Sequence, residues 1–199
     1  MKLQATGLAC ERNGRLLFRD LDFTLASGDL AELRGPNGAG KSSLLRAMAG
    51  LVPLLAGKIE MTDGGDAPLS SRLHYIAHSD AMKAVLNVEQ NLQFWCDVLG
   101  GSSIDKALKA FDLHGLRHDP VQLLSAGQRR RLCLSRLFVA KRPLWLLDEP
   151  TTALDATSQN ILIVRIQQHL AEGGIVIAAT HGDLGVTASQ RIDLSGTTP

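Results

Sequence analysis

Residues 35–42 of the chain, GPNGAGKS, place a lysine and a serine directly after a glycine-rich stretch. They match the pattern G-x-x-x-x-G-K-[ST], whose glycines let backbone N–H groups curl around phosphate oxygens. We expect Lys41 to reach the β- and γ-phosphates of a nucleotide, and Ser42 to offer its hydroxyl to Mg²⁺. A plain glycine-rich turn before a helix is disfavoured by the lysine and serine at these positions. The predicted phosphate-binding residues are Gly35, Pro36, Asn37, Gly38, Ala39, Gly40, Lys41, Ser42 and Ser43.

Two adjacent acids, Asp148 and Glu149, follow the apolar run PLWLL at residues 143–147. Asp148 is expected to hold Mg²⁺ through water, and Glu149 is placed to act as a general base for an attacking water. Two solvated carboxylates at a strand end are the plain alternative. The catalytic interpretation is favoured because the carboxyl ends of central strands are where α/β sheets bind ligands.

The elements that must position these residues alternate between short apolar runs and helical patterns, which indicates an α/β domain with a mostly parallel sheet. LAELR, PLWLLDEP and IVIAATH have the composition of strands, and the first of these leads into the glycine-rich loop. From about residue 80 to residue 140 the pattern becomes mostly helical. A nucleotide-binding core interrupted by a helical insertion is therefore expected.

Composition limits the function classes. The 199 residues suit one domain, and a net charge of +1 argues against broad electrostatic binding to nucleic acid or to an anionic membrane. The three cysteines lack metal-type spacing and are expected to be reduced thiols of a cytosolic protein. The first residues lack the apolar run of a signal peptide, and no stretch approaches the length of a membrane span.

One more stretch, LSAGQ at residues 124–128, has no obvious use in a chain that only holds a nucleotide. With it, the chain resembles the ATP-binding-cassette (ABC) ATPases over essentially its whole length. LSAGQ resembles their signature motif, TALD at residues 152–155 resembles their D-loop, and ATHGD contains a histidine, His181, that resembles their switch histidine. The order and spacing of these motifs also fit. The resemblance implies a P-loop core with an antiparallel β subdomain and a helical subdomain.

The resemblance also implies roles for single residues. Two copies of the chain would stack head to tail and enclose two ATP molecules with Mg²⁺, and each signature motif would complete the partner's site. His181 would contact the γ-phosphate, and Asp155 would touch the opposite subunit. The arginines after the signature, Arg129, Arg131 and Arg136, are interpreted as support for its helix. The signature residues are Leu124, Ser125, Ala126, Gly127 and Gln128.

Two positions depart from the family pattern. His78 stands where the Q-loop glutamine is usual, and we expect it either to contact Mg²⁺ or the attacking water indirectly, or to be an ordinary surface histidine. Arg12 stands where an aromatic residue usually stacks on adenine. A guanidinium plane can also stack on a purine, but the base selectivity then stays open.

These departures, together with LACERNGRLLF, LSAGQRRRLCLSRLFVAKRPLWLLDEPTTALD and GGIVIAATHGDL, resemble more specifically the haem-exporter ATP-binding subunits of cytochrome c biogenesis. That resemblance implies a peripheral ATPase on the cytoplasmic face of the bacterial inner membrane. Its partners would be a second copy and an integral membrane permease, and not nucleic acid. A transporter for another substrate and a non-transport ABC ATPase stay open as alternatives. The expected layout is one domain, 1–199, with a core at 1–78 and 141–199 and a helical subdomain at 79–140.

Overall fold

A five-stranded sheet forms the centre of the structure, a computed structural model that describes residues 1–62 and 67–195. Its strands are β3 (Leu30–Arg34), β5 (Leu73–Ile76), β6 (Leu144–Asp148), β7 (Ile175–Ala179) and β8 (Gln190–Asp193). Their spatial order is β5-β6-β7-β3-β8, and every neighbouring pair is parallel. β6 and β7 are buried along their whole length, which explains their uninterrupted apolar sequences. The predicted α/β class with a mostly parallel sheet is confirmed.

A smaller antiparallel sheet has the order β2-β1-β4, with β1 at Lys2–Arg12, β2 at Arg15–Ala26 and β4 at Ala56–Met61. β1 and β2 form a hairpin in which Arg12 pairs with Arg15. The two residues between them, Asn13 and Gly14, have φ angles of 53° and 74°. Positive φ at both positions is the geometry of a tight hairpin turn, which asparagine and glycine adopt readily. The turn leaves Arg12 at the tip of the hairpin.

Five α-helices complete the described part of the chain. α1 follows the glycine-rich loop, α2 begins with a capping box made by Asn87 and Gln90, and α5 begins at Asp155 as its N-cap. Their bounds are α1 Lys41–Met48, α2 Val88–Leu99, α3 Asp105–Ala110, α4 Ala126–Ser135 and α5 Ala156–Ala171. α2, α3 and α4 lie between β5 and β6 in the chain, where the sequence predicted helices.

The hydrophobic core has two parts, one on each face of the parallel sheet. Successive side chains along β6 point to opposite faces of the sheet, so Leu144 and Leu146 belong to one part of the core and Trp145 and Leu147 to the other. The first part joins the sheet to the antiparallel strands and α1, and the second joins it to α2, α3, α4 and α5. The helices α2, α3 and α4 thus pack against the same sheet whose strand β6 ends at Asp148.

No helix within residues 1–62 and 67–195 is long and apolar enough to cross a membrane. The three cysteines, Cys10, Cys96 and Cys133, are buried and form no disulfide. Burial raises the pKa of each thiol, so all three stay protonated at neutral pH. They belong to the hydrophobic core.

Two buried histidines lie at the amino ends of the parallel strands. His169 on α5 stacks on Trp145, with ring centroids 3.9 Å apart, and His74 on β5 lies edge-on to the same indole. The His74 Nε2 atom is 2.8 Å from the carbonyl oxygen of Ala140. Burial, as the larger cause, and the charge of nearby arginines together lower the pKa of both histidines from 6.5 to about 4. The arginines are Arg136 and Arg142 for His74 and Arg165 for His169.

The free energy of unfolding is therefore expected to decrease as the pH falls from about 6.5 towards 4. In this range the unfolded chain binds protons at both positions while the folded chain does not, and above the unfolded pKa neither state is charged. The loss between pH 7.5 and pH 5 is about 2 kcal/mol for each histidine. Urea denaturation at a series of pH values measures it. The variant His169→Phe keeps a ring on Trp145 without a titrating group, so its free energy of unfolding should fall less steeply with decreasing pH. An unchanged pH dependence would contradict the assignment of this loss to His169.

Candidate active site

A cavity of about 580 Å³ opens where the carboxyl ends of β3, β5, β6 and β7 meet. The glycine-rich loop follows β3, His78 follows β5, Asp148 ends β6 and His181 follows β7. This edge of a parallel sheet is the place where α/β proteins bind ligands. The predicted site residues that line the cavity are Arg12, Asn37, Gly38, Gly40, Lys41, Ser42, Ser43, His78, Asp148, Glu149 and His181. Predicted residues from five separate stretches of sequence are thus brought to one cavity.

The glycine-rich loop has backbone angles that side-chain-bearing residues rarely adopt. Gly40 has a φ of 103°, and a Cβ atom there would lie 3.1 Å from both Leu17 and Phe18. The Lys41 ammonium is nearly buried and donates hydrogen bonds to the carbonyls of Gly35 and Pro36, at 2.7 and 3.1 Å. The Leu44 N–H donates to the carbonyl of Gly40 as α1 begins. The loop thus holds one cation and a helix N-terminus on the cavity wall, which suits a phosphate group.

Asp148 meets the chemical requirement for a metal-linked carboxylate. Its side chain is buried, and its Oδ2 atom has no hydrogen-bond partner within the described residues. A buried carboxylate oxygen without a partner is costly unless a water or a cation satisfies it. Ser42 adds a hydroxyl to the same cavity. These hard oxygen donors fit Mg²⁺, which proteins usually bind through one or two side chains together with substrate phosphates.

Glu149 has an unusual backbone. Its φ angle is 48°, a left-handed conformation that costs a non-glycine residue about 1–2 kcal/mol. The strain is offset locally because the Glu149 N–H donates to the carbonyl of Ala179 on β7, at 2.8 Å. Its carboxylate Oε1 lies 3.6 Å from Nε2 of His181. The conformation turns the carboxylate into the cavity beside the histidine instead of along the strand.

The signature segment, residues 124–128, does not line this cavity. Ser125 is exposed and caps α4, with its Oγ accepting from the Gln128 N–H at 3.2 Å and its own N–H donating to Gln128 Oε1 at 2.7 Å. A Cβ atom at Gly127 would lie 3.1 Å from the carbonyl oxygen of Ala153. Glycine therefore allows the start of α4 to approach the turn after Glu149, whereas the exposed Ala126 tolerates its methyl group.

Asp155 is the N-cap residue of α5. Its Oδ1 accepts from the Ser158 N–H at 2.7 Å and caps α5. The hydrogen bonds with Ser158 hold the pKa of Asp155 below its usual value, and Arg131 adds to the effect. The carboxylate is therefore anionic at neutral pH.

The arginines after the signature contact their own subunit, in agreement with their interpretation as support for the helix. Arg129 donates to the carbonyl of Leu124, and Arg131 donates to that of Phe111 at 3.2 Å. Arg136 stacks on the ring of Trp95, with its guanidinium carbon 3.4 Å from the centroid.

The sequence prediction missed four residues. Asn13, Leu17 and Thr152 line the cavity, and Arg130 lies buried beneath the strand end. Asn13 neighbours the predicted Arg12, and Thr152 lies within the TALD stretch, so both were adjacent to recognised motifs. Arg130 is the middle residue of RRR, and a basic run is normally solvated, so nothing local marked it as buried.

Known proteins resemble this chain in sequence and in fold. A family model described as "ABC transporter" matches residues 18–152. A protein of Nitrobacter winogradskyi named "Cytochrome c biogenesis ATP-binding export protein CcmA" is 49% identical over 194 residues, which cover 96% of each chain. A protein of the same name from Rhodopseudomonas palustris is 48% identical, again over 96% of each chain. Among solved structures, an ABC transporter ATP-binding protein of Pyrococcus furiosus covers 100% of both chains with a TM-score of 0.83 at 21% identity. A second, titled "Structure of ATP binding subunit of ABC transporter", covers 91% of this chain and 80% of its own with a TM-score of 0.82 at 23% identity.

Proposed function

Because this chain belongs to the ABC transporter family of ATP-binding proteins, we propose that it energises a membrane complex in cytochrome c biogenesis. The observation that supports this most strongly is the near full-length likeness to relatives named as export proteins of that process. The chain binds and hydrolyses ATP, as members of the family do. Handling of haem, by export or by a haem chaperone, is the proposed cargo step.

In the proposed reaction the residues of the cavity divide the work. The glycine-rich loop and Lys41 bind the β- and γ-phosphates, and Glu149 takes a proton from the attacking water. His181 lies beside Glu149 and holds the γ-phosphate in line with that water. Mg²⁺ bound by Ser42 and, through water, by Asp148 neutralises negative charge on the phosphates. His78 and Arg12 both line the cavity. His78 is assigned to the attacking water or to Mg²⁺, and Arg12 is assigned to the adenine ring.

The site is proposed to be completed by a second copy. Ser125 and the N-terminus of α4 offer a hydroxyl and N–H groups, yet they do not line the cavity of their own chain. A head-to-tail dimer would direct them at the γ-phosphate held by the partner's loop. Asp155, anionic and exposed near the same surface, would then meet the partner.

The membrane partner is proposed to dock on the segments that precede α2 and α4 in the proposed helical subdomain. Val85 is 92% exposed and Leu123 is 74% exposed, the largest exposures among the large hydrophobic side chains of the described residues. The two segments lie together, since the Val121 N–H donates to the carbonyl of Leu86 at 3.2 Å. Solvated apolar side chains of this kind are typical of surfaces that a partner covers. The proposed location is the cytoplasmic face of the inner membrane, and 79–140 remains the proposed helical subdomain.

A bacterial strain lacking its own counterpart tests this function. The parent chain is expected to restore c-type cytochromes, measured by staining for covalently bound haem, while b-type cytochromes serve as the internal reference. The double variant Val85→Asp/Leu123→Asp should lose co-purification with the membrane protein and restore less than about a tenth of the stain, because two charges desolvated in an apolar contact are costly.

Val164→Asp is the matched control, because Val164 is 50% exposed on α5, remote from these segments in sequence. It should behave as the parent, and all these chains should bind ATP equally. Full restoration by the double variant would contradict the docking surface. Failure of the parent chain to restore any c-type cytochrome, with the chain expressed and folded, would contradict the function itself.

A further inference from the structure

The side chain of Arg130 donates five hydrogen bonds close to the active site, and the proposed mechanism does not use it. It lies on α4 and is 3% exposed. Its Nη2 atom donates to the carbonyls of Asp148 and Glu149, at 3.0 and 2.7 Å. Its Nε atom donates to the carbonyl of Pro150 at 3.4 Å. One guanidinium thus donates to the carbonyls of three successive residues at the end of β6, and the middle one is Glu149, the proposed general base.

The other arm of the guanidinium points to the segment after β5. Nη1 donates to the carbonyl of Ala77 at 2.8 Å and to Oδ1 of Asp80 at 3.2 Å. These two residues flank His78, which lines the cavity. The five N–H groups of Arg130 therefore have five acceptors, and the charge is balanced by the Asp80 carboxylate. A lysine has three donors on one atom and cannot reproduce this fork.

The position of these contacts bears on the backbone of Glu149. Its left-handed conformation is sterically unfavourable and persists only where surrounding bonds fix it. The Ala179 carbonyl holds the peptide group before it through the Glu149 N–H, and Arg130 holds the carbonyls on both sides. Without Arg130 the Asp148 carbonyl loses this donor, and the Glu149 carbonyl keeps the Thr152 N–H at 3.3 Å. The peptide is then freer to rotate, which would carry the carboxylate away from the attacking water.

We propose that Arg130 is a positioning residue that fixes the orientation of Glu149 and links it to α4 and to the His78 segment. The proposal rests on the proposed function, because it needs Glu149 to act as the base. α4 begins at the signature segment, so the same side chain connects that segment to the subunit's own strand end.

The variant Arg130→Gln tests the proposal in the membrane complex. ATP affinity should stay within about twofold of the parent, because the glycine-rich loop is untouched, while kcat should fall about 10- to 100-fold through misplacement of the base. A purely structural residue would not separate kcat from ATP affinity in this way. Lys106→Gln, which removes an exposed cation from α3, is the control and should match the parent.

A double variant asks whether Arg130 acts through Glu149. Single-turnover hydrolysis by Arg130→Gln/Glu149→Gln should equal that of Glu149→Gln alone, because a base that is absent cannot be misplaced. A further tenfold loss in the double variant would overturn the proposal. Parental turnover in Glu149→Gln would overturn the base and this proposal together. Parental turnover in Arg130→Gln, with Glu149→Gln inactive, would overturn this proposal alone.

Arg130→Lys covers the case in which the glutamine variant does not fold, since it keeps the buried charge and the aliphatic stem. It should bind ATP normally with kcat at least about fivefold below the parent, because one ammonium cannot serve both arms of the fork. Parental kcat in a folded Arg130→Lys chain would overturn the proposal. Loss of folding in both variants would assign Arg130 to the core alone and would also overturn it.

Discussion

Replacing Glu149 with glutamine is expected to lower ATP turnover by about 10²- to 10⁴-fold without weakening ATP binding. The amide keeps the size of the carboxylate and its place 3.6 Å from His181, but it cannot accept a proton from water. The proposed phosphate contacts come from the glycine-rich loop and Lys41, which the change leaves intact. Binding of a fluorescent ATP analogue and release of phosphate, measured on the same preparation, separate the two effects.

The same variant should accumulate as an ATP-bound dimer, because hydrolysis is what reopens the proposed composite sites. Size-exclusion chromatography with and without ATP detects it. Glu60→Gln is the matched control, since Glu60 is an exposed glutamate on β4, paired with Lys58 and outside the cavity. Phosphate release by Glu149→Gln at the rate of the control would exclude Glu149 as the base.

Mixing Lys41→Ala chains with Ser125→Arg chains is expected to restore activity that neither variant has alone. In a mixed dimer one composite site combines the intact loop of the second chain with the intact signature segment of the first. Random pairing of equal amounts in a two-fold dimer gives about a quarter of the parental number of intact sites. Phosphate release should approach that fraction, with the membrane partner present if the isolated chain is inactive.

Binding measurements on the single variants give the control for this experiment. Ser125→Arg should bind ATP as the parent does, because Ser125 does not line the cavity of its own chain, whereas Lys41→Ala should bind weakly. Equal loss of ATP binding in both variants would contradict a signature segment that serves the partner. Absence of recovery, with mixed dimers demonstrated by two affinity tags, would show that both sites must act together or that Ser125 acts within its own chain.

Much of the fold could be predicted because its determinants are local. The strand β6 is marked by its own apolar composition, and Lys41 donates to the carbonyls of Gly35 and Pro36 within its own loop. The same holds for α4, whose capping box joins Ser125 and Gln128 three residues apart. The mostly parallel sheet and the family then follow from the order of such segments.

Other features depend on contacts between distant segments and have no local mark. Arg130 is buried because carbonyls more than fifteen residues away, at Asp148 and Glu149, accept its hydrogen bonds. α5 begins at Ala156 with a polar first turn, which Asp155 caps, and the apolar pattern of the helix starts only at Ile161. The placement of Arg12 and His78 beside the cavity was predicted from motif spacing, whereas their roles there stay predictions that spacing cannot test.

The burial of all three cysteines has a practical consequence for observing the dimer at work. A cysteine introduced at an exposed site, such as one replacing Lys106 on α3, would be the single thiol that a maleimide dye reaches quickly, because the native thiols are covered and protonated. The native cysteines could then stay in place, and their packing with them. Energy transfer between two such dyes, one on each copy, would follow opening and closing in real time in the otherwise unaltered chain.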